Sequence, residues 1–147
     1  MYRSALAVVL GLSSVCAMAQ MTPVGLWKTI SDKDGAVTSE VRIVEKDGVL
    51  SGKIARDLSP KANPVTDKCT ECKDDRKDQL IAGLEIVRGA KKVDGKDVWE
   101  GGTVVDPNDG KIYKLKMTPI EGGKKLEFRG FIGFALLGRT QVWIRAE

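Results

Sequence analysis

From residue 24 onward the chain repeats one pattern, a short segment of alternating apolar and polar residues followed by a tight-turn sequence. Such alternation puts apolar side chains on one face of a strand and polar side chains on the other. Asp-Gly and Asn-Asp-Gly sequences between the segments favour hairpin turns because their residues tolerate positive φ. The pattern predicts eight strands, at Val24–Ile30, Val37–Glu45, Val49–Leu58, Leu80–Arg88, Val98–Asp106, Lys111–Thr118, Lys125–Phe131 and Arg139–Arg145.

Eight short strands in sequence, with no long amphipathic helix between them, favour an antiparallel meander. A meander of this size avoids exposed strand edges by closing into a barrel. We therefore predict an all-β, eight-stranded antiparallel up-and-down barrel with one long polar loop between the third and fourth strands. The interior of such a barrel is either filled by side chains or holds one small ligand, and the residue types leave both options open.

The N-terminal segment, residues 1–19, has the composition of a secretory signal peptide. Arg3 supplies a positive charge, residues 5–15 form a short apolar core, and Ala17–Ala19 is a small-x-small cleavage site. The apolar core is shorter than the roughly 20 residues of a transmembrane helix, so we expect no stable membrane span. An uncleaved anchor is the alternative. We expect residues 20–147 to form a single barrel domain that is periplasmic or secreted.

The composition excludes several classes of active site. The chain contains no histidine, which excludes Ser-His-Asp and Cys-His nucleophile systems, histidine general bases and His-ligated zinc. Removing the first 19 of 147 residues leaves 128, and the loss of Arg3 lowers the net charge from +4 to +3. Positive and negative residues are interleaved, as in residues 73–78, so we expect no nucleic-acid partner. We also expect no metal and no cofactor.

Two cysteines remain after cleavage, Cys69 and Cys72, both in the long polar loop. An even number of cysteines in an exported protein favours one disulfide, which here closes a small loop and stabilises the fold by about 2 kcal/mol. A redox-active pair is the alternative, although such sites use a helix N-terminus and a βαβ context, and neither is indicated. Half of a shared metal site is a third interpretation.

Apolar residues on the predicted inner face of the strands are the candidate ligand-binding residues, and the alternative is that they only fill the barrel. They are Val41, Ile43, Leu50, Ile54, Leu84, Ile86, Val104, Leu115, Met117, Leu126 and Phe128. Glu100 is the best candidate for an inward acid, unless a bulge at Gly101–Gly102 turns it to solvent. No second carboxylate can be placed opposite it, so a glycosidase-like pair is not supported.

Residues 131–137 form the most apolar segment after the N-terminal region. We favour a plug in which Phe131, Leu136 and Leu137 close one end of the barrel, because buried aromatic residues are ordinary core. A lid, a ligand mouth or a partner surface are alternatives. A membrane-touching loop is a further one, although the segment carries no basic amphipathic face.

A combination of motifs spans essentially the whole chain after residue 20. They are Pro23–Trp27, Trp99–Gly102 with Asp106–Tyr113, Arg129–Gly133 with Leu137–Trp143, and the Cys69–Cys72 pair between them. In this combination the chain resembles the bacterial domain-of-unknown-function family 2147. The resemblance implies a small exported protein with a lipocalin-like barrel and no settled activity.

A second resemblance concerns the first strand, where Gly25 and Trp27 are similar to the Gly-x-Trp of lipocalins. The resemblance implies that the tryptophan packs at the closed end of the barrel against an arginine from the last strand. Arg139 is the candidate partner, since a guanidinium stacked on an indole suits both residues. In this interpretation Gly25, Trp27 and Arg139 are structural residues.

Three hypotheses for function follow. The first is non-enzymatic binding of a small apolar or amphipathic molecule inside the barrel, with no catalytic residues. The second is a structural or interaction module of the cell envelope that has a filled barrel and a working surface near Phe134 or Cys69. The third is a thiol–disulfide protein. An ordinary hydrolase comes last because no catalytic arrangement is visible.

Overall fold

The computed structural model describes residues 21–134 and 137–147, so the predicted signal peptide lies outside the described residues. A short 3-10 turn, Glu121–Gly123, joins the sixth and seventh strands. The strands are β1 (Gly25–Ile30), β2 (Val37–Lys46), β3 (Val49–Asp57), β4 (Glu85–Lys92), β5 (Trp99–Val105), β6 (Ile112–Ile120), β7 (Lys125–Phe131) and β8 (Gly138–Arg145).

The strands form a closed barrel in which each strand pairs antiparallel with the next one in sequence. The first and last strands close the sheet, with Trp27 opposite Arg145 and Lys28 opposite Ile144. The predicted all-β, eight-stranded up-and-down barrel is therefore confirmed. Within the described part of the chain, no helix is long and apolar enough to cross a membrane.

The fourth strand differs from its prediction, Leu80–Arg88, because it covers Glu85–Lys92. Residues before it belong to the long loop: Leu80 bridges to Lys68, and the Ile81 amide donates to the Asp67 carbonyl over 2.9 Å. Gly89, which follows the last residue of the predicted strand, lies within the observed one. Its φ of 79° coincides with a register shift against β3, so the glycine makes a bulge and the strand continues.

The up-and-down order gives the barrel two unlike ends. The β2–β3, β4–β5 and β6–β7 connections lie at one end, which we call the base. The β1–β2, β3–β4, β5–β6 and β7–β8 connections lie at the other end, which we call the mouth. The β3–β4 connection, residues 58–84, is the longest of them, and it places most of the loop structure at the mouth.

At the base, Trp27 is fully buried and the Arg145 guanidinium lies 4.2 Å from the centre of its ring. Arg145 also donates to the carbonyls of Thr22 (2.7 Å), Val24 (2.8 Å) and Gly123 (2.6 Å), which ties the two chain ends of the barrel to the β6–β7 connection. Burial lowers the pKa of Arg145, whose guanidinium is partly removed from water.

The prediction that Arg139 stacks on Trp27 was wrong. Antiparallel pairing brings the start of β1 beside the end of β8, so Trp27 meets Arg145. Arg139 stands at the start of β8, at the mouth, and pairs with Asp32 over 2.6 Å. Gly25 also takes part in the Trp27–Arg145 contact at the base, because a Cβ at position 25 would overlap the Arg145 guanidinium.

Candidate functional site

A cavity of about 1200 Å³ opens at the mouth of the barrel. Its walls come from the mouth ends of the strands and from all four mouth connections. This volume suits a small organic molecule, and the opening lies among loops, where the fold tolerates variation in ligand. The mouth is therefore the candidate functional site.

Two stacked aromatic rings form the apolar end of the cavity. The rings of Phe128 and Trp143 lie 4.1 Å apart at their centres and 12° from parallel, and both are buried. The Trp143 indole donates to the Gln141 side-chain oxygen over 3.2 Å. Three aliphatic side chains continue this apolar surface, Ile54, Ile86 and Val104.

Three hydroxyl groups form a polar patch on β1 and β2, the next strands round the barrel from β8. The Thr29 hydroxyl lies 2.7 Å from that of Thr38 and 2.7 Å from that of Ser39. Thr29 is buried and its two partners are half-buried, and all three line the cavity. The alternation of β1 explains the patch, because Trp27 and Thr29 point to the same side of the strand and Trp27 faces the core.

Charged residues line the cavity only on mouth loops or at the mouth ends of strands. Arg139 and Asp32 form an exposed ion pair there, with side chains 68% and 46% exposed. Acidic residues outnumber basic ones around the opening. The acidic ones are Asp32, Asp57, Asp67, Glu71 and Asp106, and the basic ones are Lys33, Lys68 and Arg139.

A disulfide between Cys69 and Cys72 shapes one wall of the cavity. Both cysteines are buried in the core, and Thr70 and Glu71 between them face the cavity. This turn packs on the β5–β6 connection at Gly110, whose φ is 71° and where a Cβ would overlap the Glu71 carbonyl. A glycine is therefore required where the two mouth loops meet.

Residues 74–76 fasten the same loop to the start of β4. Arg76 is 2% exposed, donates to the Glu85 carbonyl over 3.1 Å and holds both carboxylate oxygens of Asp74, at 3.1 and 2.6 Å. The Arg76 side chain and backbone N–H lower the pKa of Asp74 to about 2. Beside them, Arg88 pairs with Asp75 and Glu85.

The predicted plug of residues 131–137 was wrong for the residues that the structure describes. Ile132, Phe134 and Leu137 are 58%, 77% and 72% exposed, and Phe131 is only half-buried. Leu136 lies outside the described residues. The β7–β8 connection turns at Gly133, with φ 74°, and the Leu137 amide donates to the Phe134 carbonyl. Ile132 and Leu137 border the cavity at its opening, and neither is buried inside it.

The candidate ligand-binding residues divide into two groups. Four line the cavity: Ile54, Ile86, Val104 and Phe128. The other seven are buried in the core and are not among the lining residues: Val41, Ile43, Leu50, Leu84, Leu115, Met117 and Leu126. Glu100 is exposed, and a register shift between Glu100 and Thr103 marks the bulge considered for Gly101–Gly102.

Sequence reasoning missed Trp143, Gln141 and the hydroxyl patch. The signal for the first two was present, since Gln141, Trp143 and Arg145 alternate along β8 and share its inner face. The hydroxyl patch was missed because an inner face was expected to be apolar.

The family profile described as "Uncharacterized protein conserved in bacteria (DUF2147)" matches residues 25–145. The chain belongs to the DUF2147 family. The resemblance inferred from the motifs is thus confirmed. Among curated proteins, none matches the chain.

The DUF2147 chain is also similar to a solved structure, that of protein HP1028 from the human pathogen Helicobacter pylori, which is described as belonging to the lipocalin family. The two are 21% identical, the similarity covers 84% of this chain and 82% of that chain, and the TM-score is 0.70. At this identity the likeness shows the fold, which is therefore a lipocalin-like barrel.

Proposed function

We propose that this DUF2147 protein is a non-enzymatic carrier that binds one small amphipathic molecule in the mouth half of its barrel. The observation that carries the proposal is the cavity of about 1200 Å³ whose wall combines the Phe128–Trp143 pair with hydroxyl and amide groups. An apolar surface with a few placed polar groups is typical of small-molecule sites.

The division of the barrel supports this role. Side chains such as Ile43, Leu50 and Met117 are fully buried and hold the core together. The mouth half can therefore remain open without loss of the packed core, which is how an eight-stranded barrel accommodates one ligand.

Export is part of the proposal. The order of Arg3, an apolar core and Ala17–Ala19 is the motif of a cleaved signal peptide, and we propose a periplasmic or secreted location. The Cys69–Cys72 disulfide agrees with it, because disulfides persist in oxidising compartments.

A structural role for the disulfide is favoured over a redox role. Cys69 is 0% exposed and Cys72 is 1% exposed, so an attacking thiolate has no access to either sulfur. The pair also fixes the loop that carries Thr70 and Glu71 into the cavity wall.

A second candidate function rests on the exposed apolar side chains of Ile132, Phe134 and Leu137. They stand together at the lip of the mouth, and exposed apolar groups in a cluster mark interaction surfaces. In this alternative the protein is an interaction module of the envelope. The two candidates differ in their dependence on the cavity, because only the carrier requires it.

A fluorescence titration with N-phenyl-1-naphthylamine, a neutral probe that brightens in apolar surroundings, tests the carrier. We expect saturable binding of one probe per chain. Gly130→Phe is expected to abolish it, because Gly130 lines the cavity and a Cβ there lies 3.5 Å from Tyr113, in ordinary contact. The new ring would therefore occupy the cavity, and its Cβ would not clash with Tyr113.

Met117→Leu is the matched control, since Met117 is fully buried and is not among the lining residues. It is expected to bind the probe as the unchanged protein does. Absence of saturable binding to the unchanged protein, or equal binding by Gly130→Phe in its folded state, would contradict the carrier and leave the interaction module.

A further inference from the structure

Three exposed apolar side chains stand together on the β7–β8 connection, and we call them the apolar lip. They are Ile132, Phe134 and Leu137. Phe131 and Gly138 are paired across β7 and β8, so the lip is the tip of a hairpin, and the Leu137 amide donates to the Phe134 carbonyl over 2.9 Å. Apolar side chains grouped in this way gain free energy when a partner removes them from water.

Two lysines lie beside the apolar lip on the outer surface of the barrel. In the β6–β7 register Lys114 stands opposite Phe131, the residue before the lip, and Lys116 stands opposite Arg129. Leu115, which alternates with them, is buried in the core, so both lysines point outward, and both are exposed. Among the residues that the structure describes, no carboxylate is paired with either lysine.

The strands that carry the lip and the two lysines are basic in balance. Residues 111–142, which run from β6 into β8, contain seven basic residues and two acidic ones. Glu121 lies at the base, and Glu127 stands nearer the base than the two lysines do. The neighbouring strand β5 adds Glu100 opposite Lys116, so the outer surface beside the lip keeps a positive excess.

Most of the acidic groups that line the cavity lie away from the lip. Asp67 and Glu71 belong to the β3–β4 connection, which is halfway round the closed ring of strands from the β7–β8 connection. Asp32 is nearer, but its carboxylate is paired with Arg139 over 2.6 Å. The Asp106 carboxylate caps its own turn by accepting a backbone N–H over 2.9 Å. The charge of the mouth is therefore uneven, and the β6–β7 side is its positive side.

From this arrangement we infer that the apolar lip docks on the surface of an anionic phospholipid bilayer. The lip enters the boundary between headgroups and acyl chains, and Lys114 and Lys116 contact the lipid phosphates. A second copy of the chain is disfavoured on the lip, because a symmetric contact there would bring the lysines of both copies together.

This inference rests on the interaction surface of the second candidate function and gives that surface a partner. Ile132 and Leu137 belong to the lip and also border the cavity, so docking turns the opening of the cavity towards the bilayer. A small amphipathic molecule could then pass between bilayer and barrel without crossing water.

Co-sedimentation with sucrose-loaded vesicles tests the inference. The vesicles consist of phosphatidylcholine alone or of phosphatidylcholine mixed with phosphatidylglycerol, and the bound fraction of protein is measured at low and at high salt. We expect the protein to bind the mixed vesicles about tenfold more tightly than the neutral ones at low salt. The difference should disappear at high salt, because ions screen exposed charges.

One pair of variants tests the apolar contribution. Phe134→Ser is expected to weaken binding to both kinds of vesicle about tenfold, because the largest side chain of the lip is lost. Val65→Ser is the matched control: Val65 is as exposed as Phe134, 78% against 77%, but it lies on the β3–β4 connection. It is expected to bind as the unchanged protein does.

A second pair tests the ionic contribution. Lys114→Gln combined with Lys116→Gln is expected to weaken binding to the mixed vesicles about tenfold and to leave binding to the neutral ones unchanged. Lys46→Gln combined with Lys96→Gln makes the same change of charge at exposed positions of the base and should bind as the unchanged protein does.

Equal binding to neutral and mixed vesicles at low salt, or an equal loss in the two double lysine variants, would overturn the inference. All variants share one N-terminal segment, so binding through that segment would respond to none of these changes. A dimer that Phe134→Ser dissociates, without vesicle binding, would assign the lip to a second copy instead. Titration with N-phenyl-1-naphthylamine in the absence of vesicles tests the carrier alone, so either proposal can fail without the other.

Discussion

At the scale of single residues, Arg145 joins the parts of the chain that meet at the base of the barrel. Its planar guanidinium stacks on Trp27 and donates to three backbone carbonyls of residues outside the strands. Lysine offers neither the plane nor the fixed fork of donors that this geometry uses. The glycine at position 25 provides the space that the guanidinium occupies.

We predict that Arg145→Met lowers the free energy of unfolding by roughly 2–4 kcal/mol, because charge-assisted hydrogen bonds and the stacking contact are lost and carbonyls are left unpaired. The measurement is the midpoint of guanidinium chloride unfolding. Arg139→Gln is the control: it removes one exposed ion pair with Asp32 and is expected to change stability by less than about 1 kcal/mol. A larger loss in Arg139→Gln than in Arg145→Met would refute this assignment.

The sequence indicated an arginine partner for Trp27 but selected the wrong one. Arg139 and Arg145 both lie on β8 and are six positions apart, so alternation places them on the same side of the strand. Only the antiparallel pairing of β1 with β8 distinguishes them, and that pairing spans the whole chain. Local pattern therefore predicted the kind of contact and missed its register.

At the scale of elements, the β3–β4 connection is anchored to the barrel at several points, although it is polar and irregular. The Cys69–Cys72 disulfide closes one turn of it, and the buried Arg76 fixes the next to the start of β4 through Asp74 and the Glu85 carbonyl. Removing either partner of a buried ion pair leaves the other charge uncompensated, which is more costly than the pair is favourable.

Asp74→Asn is predicted to lower the free energy of unfolding by about 3 kcal/mol near neutral pH, because the Arg76 charge stays buried without its carboxylate. The pKa of Asp74 in the folded protein, about 2, is below its ordinary value of 3.8. The carboxylate therefore stabilises the fold above about pH 4 and loses this contribution as the pH falls towards 2.

Urea unfolding measured from pH 7 down to pH 2 checks this prediction. The difference in stability between the unchanged protein and Asp74→Asn should shrink across the acidic part of that range. Asp94→Asn, at an exposed turn of the β4–β5 connection, is the control and should behave as the unchanged protein. A difference that stays constant down to pH 2 would contradict the assigned role of Asp74.

The loop also explains why the sequence pattern predicted a start for β4 that is too early in the chain. Leu80, Ile81 and Leu84 look like the start of an alternating strand, and Gly89 looks like its end. In the folded chain Leu80, Ile81 and Leu84 belong to the loop and pack towards the core. Gly89 makes a bulge within the strand. Alternation detects apolar spacing, but it does not separate a strand from a loop that is anchored by long-range contacts.

At the scale of the whole molecule, the barrel is filled towards the base and open at the mouth. The strand number and order were predictable, because turn sequences and alternation are local signals. The boundary between the filled and open parts was not, since the same aliphatic residue types line both: Ile43 is enclosed in the core, whereas Ile54 borders the cavity. Strand register and loop placement decide which aliphatic side chains fill the core and which border the cavity.

The positions of the three tryptophans make the central claim directly measurable. Trp143 borders the cavity, whereas Trp27 and Trp99 are buried in the core and are not among the lining residues. Each indole N–H gives its own signal in a proton–nitrogen correlation spectrum, assigned by replacing one tryptophan at a time with phenylalanine. The protein is titrated in turn with 2-naphthol and with decanoate.

We predict that at least one of these ligands shifts the Trp143 indole signal in a saturable manner and leaves those of Trp27 and Trp99 in place. Gly130→Phe should remove the shift, because its ring occupies the cavity. A Trp143 signal that neither ligand moves, or larger shifts at Trp27 and Trp99, would contradict a ligand site in the mouth half of the barrel.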